Sequence, residues 1–384
     1  MTGRSYALRC VRCDAENDLG RYDCARCAGV LVVDAGPVAD LTPAKGTAGV
    51  WRYPQLLPSA SNQVSIGEGQ TPLIDISGLQ PAGRDFRLYA KLEGANPTLS
   101  FKDRGMALAV SIAVDRGCTS LVVASTGNAA VSASAYAAAA GLSCTVIVGT
   151  ASNAANKLAA CRAYGAKVSE VDGDYSTAYA AAMAAESETM MNVSTTYRNP
   201  VLGEGYRSVA LELVESLGRV PDAVIVPIGA GSFLRAIAAG FRDVSDVTGS
   251  GVVPRMVGVQ ADRCAPLARA WDEGRTDAAW ERSLAEPLYP ERTSATAIAD
   301  PLRGYEDQGL LTLEAVRETH GTVVAVSEDQ IDAATQALLS RGIWVEPAAA
   351  TAVAALAVVD LPPGSTVVSM MTGHGVKATV ARNS

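Results

Sequence analysis

The stretch LVVASTGNAAVSASAYAAAAGLSCTVIVG, residues 121–149, decides the fold. LVVAST (121–126) is a short apolar β run. GNAAVSASAYAAAAG (127–141) reads as a helix closed by a glycine, and CTVIVG (144–149) as a second buried strand. Short apolar strands alternating with helices predict a mostly parallel sheet covered on both faces. The pattern recurs at AKVSEVD (166–172), followed by a helix over 175–186, and at DAVIVPIG (222–229), followed by a helix over 232–241. RMVGVQ (255–260), GTVVAV (321–326) and TVVSMM (366–371) supply further strands. The fold class is therefore α/β. In such sheets ligands bind beyond the carboxyl ends of the strands, so the strand-to-helix turns are where chemistry is sought.

Composition sets the outer bounds. A chain of 384 residues, 48% of them hydrophobic, is long enough for two or more domains with a sizeable core. The net charge of -8, with no basic run or stripe, argues against a nucleic-acid partner. No apolar run approaches the ~20 residues needed to span a bilayer. The opening MTGRSYALRC has no apolar signal core, which predicts a cytoplasmic protein. His320 and His374 are the only histidines, so a histidine-based metal site or a Ser-His-Asp triad is hard to build.

Cysteines concentrate at the start. In CVRCDAENDLGRYDCARC, Cys10 and Cys13 form one CxxC, and Cys24 and Cys27 form another. Two such knuckles can present four thiolates in tetrahedral array, a structural zinc ribbon with no open coordination position. A redox CxxC and a metal-free ribbon are the competing readings. Cys118, Cys144, Cys161 and Cys264 read as small core residues. A linker rich in Pro, Gly and Ala follows over residues 35–50.

Four turns carry candidate chemistry. SFKDRG places Lys102 at a helix start. ASTGNAA (124–130) follows a strand and offers Ser125, Thr126 and Asn128, backed by the unpaired N–H groups of a helix N-terminus, which bind carboxylate or phosphate. PIGAGSF (227–233) repeats the strand, glycine turn and helix, and its glycines let the backbone curl into an anion nest. In MMTGHGVK (370–377), Thr372 ends the last strand and His374 sits between two glycines. Each turn has a bland reading when taken alone: a solvated lysine, a helix cap, a common glycine turn, a strand exit. Together they supply an amine, two anion cradles and a hydroxyl. That set fits pyridoxal phosphate holding an amino acid: the amine for the Schiff base, one cradle for each anion, and the hydroxyl for the pyridine nitrogen.

With those residues in view, the sequence resembles the threonine synthases within the fold type II pyridoxal-phosphate enzymes. The resemblance lies in NPTLSFKDRG (96–105), ASTGN, GIWVEPAAAT (342–351) and TGHGVK, with the entry segment VWRYPQLLP…VSIGEGQTPL (50–73). It implies two doubly wound α/β domains with the cofactor between them, like the tryptophan synthase β chain, plus the small N-terminal ribbon. The expected division is 1–35 for the ribbon, 96–199 for a smaller domain carrying Lys102, and 50–95 with 200–384 for a larger one. By resemblance Lys102 is the Schiff-base lysine and moves the Cα proton. Asn128 meets the cofactor's ring hydroxyl, and Ser125, Thr126, Asn128 and Ala129 hold the substrate carboxylate. Gly229, Ala230, Gly231, Ser232 and Phe233 wrap the cofactor phosphate, and Thr372 faces the pyridine nitrogen. Arg207 and His374 are further substrate-binding candidates, and Glu346 is left undecided. A homodimer is a further family expectation.

Three departures bear on the substrate. Leu99 stands where the family usually has glycine. GAGSF replaces an asparagine-rich glycine loop. In TTYRNPVLGEGYRS (195–208), Leu202 occupies the position of an arginine that helps bind the substrate phosphate, leaving Arg198 or Arg207 as substitutes. The expected activity is elimination and replacement at the side chain of an activated amino acid: O-phospho-L-homoserine and water to L-threonine and phosphate, or a close analogue. The alternative is β-replacement or β-elimination on serine, phosphoserine, threonine or another activated amino acid, cysteate synthase-like or dehydratase-like. From another class, a non-catalytic protein of this fold would bind a partner through the ribbon; an intact Lys102 with both cradles speaks against it.

Overall fold

A computed structural model describes residues 4–150, 155–286, 288 and 291–378. In chain order the elements begin with β1 (Tyr6–Cys10), β2 (Glu16–Asn17), β3 (Leu31–Ala35), β4 (Leu73–Asp75) and β5 (Phe86–Leu92). Then come α1 (Lys102–Asp115), β6 (Ser120–Ala124), α2 (Asn128–Ala139), β7 (Ser143–Gly149), α3 (Ala155–Ala163), β8 (Lys167–Val171), α4 (Tyr175–Ala184), β9 (Met190–Asn192) and α5 (Val201–Glu204). The remainder comprises α6 (Ser208–Leu217), β10 (Ala223–Pro227), α7 (Ser232–Thr248), β11 (Arg255–Ala261), α8 (Pro266–Glu273), α9 (Asp277–Ala285), α10 (Glu306–Glu318), β12 (Thr322–Val326), α11 (Glu328–Leu339), α12 (Pro347–Ala354) and β13 (Ser365–Met371).

The chain divides into two compact units. One joins residues 4–70 to Asn96–Ser208, and the other joins Thr71–Ala95 to Val209–Ala378. The division expected from sequence set 50–95 with the larger domain, whereas these contacts set 50–70 with Lys102.

In the first unit four parallel strands run in the order β8-β7-β6-β9. Every residue of β6 is buried, as the continuous apolar run requires of a strand covered on both faces. Ala124 pairs with Ile147, so the turns after β6 and β7 open on the same edge. α2 is nearly all small residues, and Ala130, Ala133, Ala137 and Tyr136 are buried. A second, antiparallel sheet in the order β2-β1-β3 carries the two CxxC pairs.

In the second unit six strands run β12-β11-β10-β13-β5-β4, all parallel except β4 at the edge. Leu88, Ile225, Val257, Val367 and Ala350 share its core. Met371 pairs with Leu92, and Pro227 with Val259, which aligns the turns that follow these strands along one edge. The helix expected over 232–241 continues to Thr248, because Phe233, Ile237, Phe241 and Val244 prolong one buried face. It stops where Gly249 takes a left-handed φ of 65°. Among the described residues no helix is long and apolar enough to cross a membrane.

Candidate functional site

In the first unit Lys102 is the first residue of α1, and its Nζ lies 4.5 Å from the centre of the Phe101 ring. The turn before it is held from beneath by Asp103. That carboxylate is fully buried and accepts the Thr98 N–H at 2.6 Å, the Thr98 hydroxyl, and the Ser132 hydroxyl of α2 at 2.6 Å. Leu99, between them, adopts φ 65°, the left-handed conformation that glycine takes without strain. Gly105, one turn into α1, has no room for a side chain: a Cβ there would lie 2.5 Å from the Leu202 carbonyl. Tyr206 packs 5.1 Å from the Phe101 ring, and burial, then the Asp103 charge, push its phenol pKa upward.

The next turn follows β6. Ser125 Oγ accepts the Gly127 N–H at 3.0 Å, which folds the turn over the start of α2. Gly127, the N-cap, is extended and no side chain caps the helix. The first N–H groups of α2, from Asn128 and Ala129 onward, therefore point where an anion can bind. The sequence reading placed Ser125, Thr126, Asn128 and Ala129 together, and the structure gathers them at this one turn. A cavity of about 180 Å³ opens beside Ser125 and Thr126, bordered by Ile147, Gly149, Asp174 and Tyr175.

In the second unit β10 leads into the glycine loop and then α7. Gly231 is the N-cap with φ 89°, and no side chain caps this helix either. A Cβ at Gly231 would lie 2.3 Å from Thr312 Cγ2, so the backbone passes where only glycine fits. Gly229, Ala230, Gly231, Ser232 and Phe233 thus form one concave helix start. At the end of β13, Thr372 is buried. His374 Nδ1 accepts the Val376 N–H at 3.1 Å, which leaves the ring proton on Nε2 in the neutral form. Gly375 is dictated by Trp344, since a Cβ there would lie 2.1 Å from Trp344 Cδ1. Glu346 is buried at the N-cap of α12 and its N–H reaches the Gly373 carbonyl at 3.0 Å.

The arginines of the 195–208 stretch are engaged. Arg198 donates to Glu186 at 2.8 Å, forms an ion pair with Asp23 at 3.3 Å and covers the Tyr22 ring. Arg207 pairs with Glu204 at 2.6 Å. Leu202 is buried. Sequence reasoning passed over Asp103, Thr98 and Ser132, although an acidic residue in the first turn of α1 was a visible signal for a turn-holding role.

The four cysteines of the N-terminal sheet converge, with all Sγ atoms within 4.8 Å of one another. Neighbouring Sγ atoms lie 3.4, 3.5 and 3.6 Å apart, against about 3.8 Å for a zinc tetrahedron with bonds of about 2.3 Å. The two knuckles repeat one design. Asp14 N–H bonds the Cys10 carbonyl, and Ala28 N–H the Cys24 carbonyl. Asp14 and Ala28 both take left-handed φ, 56° and 55°. Arg12 N–H and Arg26 N–H each reach the first sulfur of their knuckle at 3.4 Å. Burial opposes ionisation of Cys24, but the Arg26 and Cys27 N–H groups and the neighbouring thiols outweigh it and pull its pKa down to about 6. These groups fit a thiolate-bound cation, and Gly29, whose Cβ would meet Cys10 Sγ at 3.0 Å, keeps the space open.

Residues 64–373 match the family described as pyridoxal-phosphate dependent enzyme. The chain is similar to a threonine synthase of Methanosarcina acetivorans, 33% identical over 97% of this chain and 92% of that protein. It is also similar to a threonine synthase of Methanocaldococcus jannaschii, 35% identical over 96% of this chain and 92% of that one. Among solved structures, the processed form of threonine deaminase isoform 2 from Solanum lycopersicum has a TM-score of 0.68 at 20% identity. That match covers 91% of this chain and 96% of the other, and shows a common fold.

Proposed function

The chain belongs to the pyridoxal-phosphate dependent enzymes, and we propose that it acts in the threonine synthase manner, converting O-phospho-L-homoserine and water to L-threonine and phosphate. What carries the reading is that the first unit holds Lys102 at the opening of α1 and a helix start with no side-chain cap at Gly127, and that the second unit holds another such start at Gly231. An amine and two anion cradles are what a cofactor aldehyde, a cofactor phosphate and a substrate carboxylate require. The Gly231 backbone, which a Cβ would block, suits a phosphate against N–H groups. When bound, pyridoxal phosphate supplies the electron sink that makes the Cα and Cβ hydrogens of an amino acid acidic.

The chain's own residues do the rest. Lys102 Nζ, at the start of α1, would hold the cofactor through its amine and, once free, would carry protons to and from Cα and Cβ of the substrate. Ser125, Thr126 and the N–H groups of Asn128 and Ala129 bind the substrate carboxylate and fix which face of Cα meets the lysine. The Asn128 side-chain amide would hold the cofactor's ring hydroxyl oxygen. The N–H groups across 229–233 and the Ser232 hydroxyl hold the cofactor phosphate. Thr372, buried at the end of β13, would offer the ring nitrogen a neutral hydroxyl, which would not enforce protonation there and would suit elimination and replacement more than transamination. His374 offers Nε2–H to the substrate, and Arg207 a charge near the leaving group. Cys10, Cys13, Cys24 and Cys27 hold a structural zinc ion, outside the chemistry. A homodimer in the cytoplasm goes with this reading.

One observation favours a second reading. The position of the family's phosphate-binding arginine is the buried Leu202, while Arg198 and Arg207 are each paired with a glutamate. A leaving group less charged than phosphate, as in β-elimination or β-replacement on a serine-type amino acid, needs no such cation.

The test is direct. Purified protein is supplied with pyridoxal phosphate, its visible absorbance recorded, and phosphate and threonine measured after adding O-phosphohomoserine, with Lys102→Ala in parallel. Phosphate and threonine in equal amounts, lost in the variant, are the expected result. Turnover of serine-type substrates alone supports the second reading. A wild-type protein that takes up no cofactor sinks both.

A further inference from the structure

Two buried side chains hold the glycine loop of the second unit from behind. Gln260, near the end of β11, is fully buried. Its Oε1 accepts the N–H groups of Leu267 and Ala268 at 2.9 and 3.1 Å, which obliges its NH2 to face the other way. There it donates to the Gly229 carbonyl at 3.3 Å. Thr312, on α10, is fully buried too, and its hydroxyl lies 2.6 Å from the Ala230 carbonyl and 3.0 Å from the Gln308 carbonyl. The Thr312 methyl fills the space that a side chain at Gly231 would claim. Arg235, one turn into α7, bonds to Gln308, so α7 and α10 are tied together beside this contact.

The consequence is orientational. A planar trans peptide points its N–H opposite to its C=O. With the Gly229 and Ala230 carbonyls drawn onto Gln260 and Thr312, the N–H groups of Ala230 and Gly231 face away from both. Gly231, left-handed at φ 89°, then passes the chain into the uncapped first turn of α7. Successive N–H groups in such a turn make an anion nest. We propose that Gln260 and Thr312 are positioning residues for phosphate recognition, fixing the backbone donors of Ala230 and Gly231 that read the phosphate of a phosphorylated cofactor. This rests on the cofactor assignment above.

Thr312→Val keeps the shape and removes the hydroxyl, and Thr312→Ser keeps the hydroxyl. Apo-protein of each is titrated with pyridoxal phosphate and, separately, with pyridoxal, which has the aldehyde and ring but no phosphate. The expected result is roughly a five- to thirty-fold weaker affinity for pyridoxal phosphate in the valine variant, the scale of one lost hydrogen bond. Pyridoxal affinity should stay within about twofold of wild type, and serine should restore phosphate-dependent binding. If the valine variant does not fold, Gln260→Met carries the same comparison. Equal weakening toward both ligands, or no weakening at all, overturns the proposal. A wild-type protein that binds neither ligand instead overturns the cofactor assignment, and the titration of unmutated protein reveals that first.

Discussion

Replacing Asp103 by alanine should loosen the turn that presents Lys102 more than any other single change nearby. Asp103 is fully buried and serves three donors, the Thr98 N–H, the Thr98 hydroxyl and the Ser132 hydroxyl. Alanine leaves all three without their acceptor. A hydrogen bond to a charged group contributes about 1.5–3 kcal/mol, and the two hydroxyls can turn toward other acceptors. The net loss is then about 4 kcal/mol, within the range for breaking a buried charged network. For a unit of this size each kcal/mol shifts the melting temperature by roughly 2–4 °C, so Asp103→Ala should melt about 8–16 °C lower. Asparagine behaves differently. Its carbonyl can face the Thr98 N–H while its NH2 donates to the hydroxyl oxygens, which holds the loss to about 1–2 kcal/mol. Calorimetry of the three proteins decides the matter. Melting within about 2 °C of wild type for both variants would refute the idea that this carboxylate organises the turn.

Leu99→Gly should melt above Leu99→Ala. Both lose the half-buried leucine side chain, but glycine also relieves a left-handed backbone, worth about 1–2 kcal/mol against an unfolded-state cost of about 0.5–1 kcal/mol, and equal melting of the two would contradict the strain. Glu328 is the acid test of α11. Burial opposes its ionisation, but the Thr293 hydroxyl and Ser294 N–H outweigh this and hold its pKa below the usual carboxylate range. A depressed carboxylate adds stability above its unfolded pKa of about 4.3, and that stability is lost as pH falls through the lower folded value. Glu328→Gln should therefore melt below wild type at neutral pH, by less than about 1 kcal/mol in stability, and converge with it as pH falls through the lowered folded value; a gap that persists in acid would contradict the assignment. For the cysteine cluster, elemental analysis of protein from zinc-replete medium should find about one zinc per chain, lost in Cys24→Ser. Wild-type protein purified without metal under those conditions would remove zinc from the account.

Much of this architecture was legible because its signals are local. The runs around Val122, Val146, Ile225 and Val367 are short, apolar and bounded by glycine or by a helix. That is how a strand buried on both faces reads in sequence. β9 and β4 escaped because three residues carry no period. α8 and α9 lie between strands in a stretch richer in charge, and the extension of α7 needed the spacing from Phe233 to Val244 to be followed further. The turns bearing Lys102, Asn128, Gly231 and Thr372 stood out because a strand end followed by small or hydroxyl residues is recognisable. Their supports did not. Gln260 and Thr312 are polar residues inside a strand and a helix, and in sequence they look like any solvated side chain; Asp103 could be noticed only as an acidic residue in a first helical turn. Only the distances to Thr98, Gly229 and Ala230 show that they face inward.

The placement of β13 reaches beyond the site. It is the last strand among the described residues and yet sits inside its sheet, between β10 and β5. Met371 pairs with Leu92, and Ser369 with Ile225. During synthesis the segment holding β4 and β5 and the segment holding β10, β11 and β12 remain two half-sheets with open inner edges. They stay so until residue 371 leaves the ribosome. Exposed strand edges of that kind invite pairing with other chains, and contacts this distant in sequence form slowly. Nascent chains stalled before β13 should be the aggregation-prone species, and a shortened C-terminus that spares every residue of the candidate site before Thr372 should still leave the second unit without its middle.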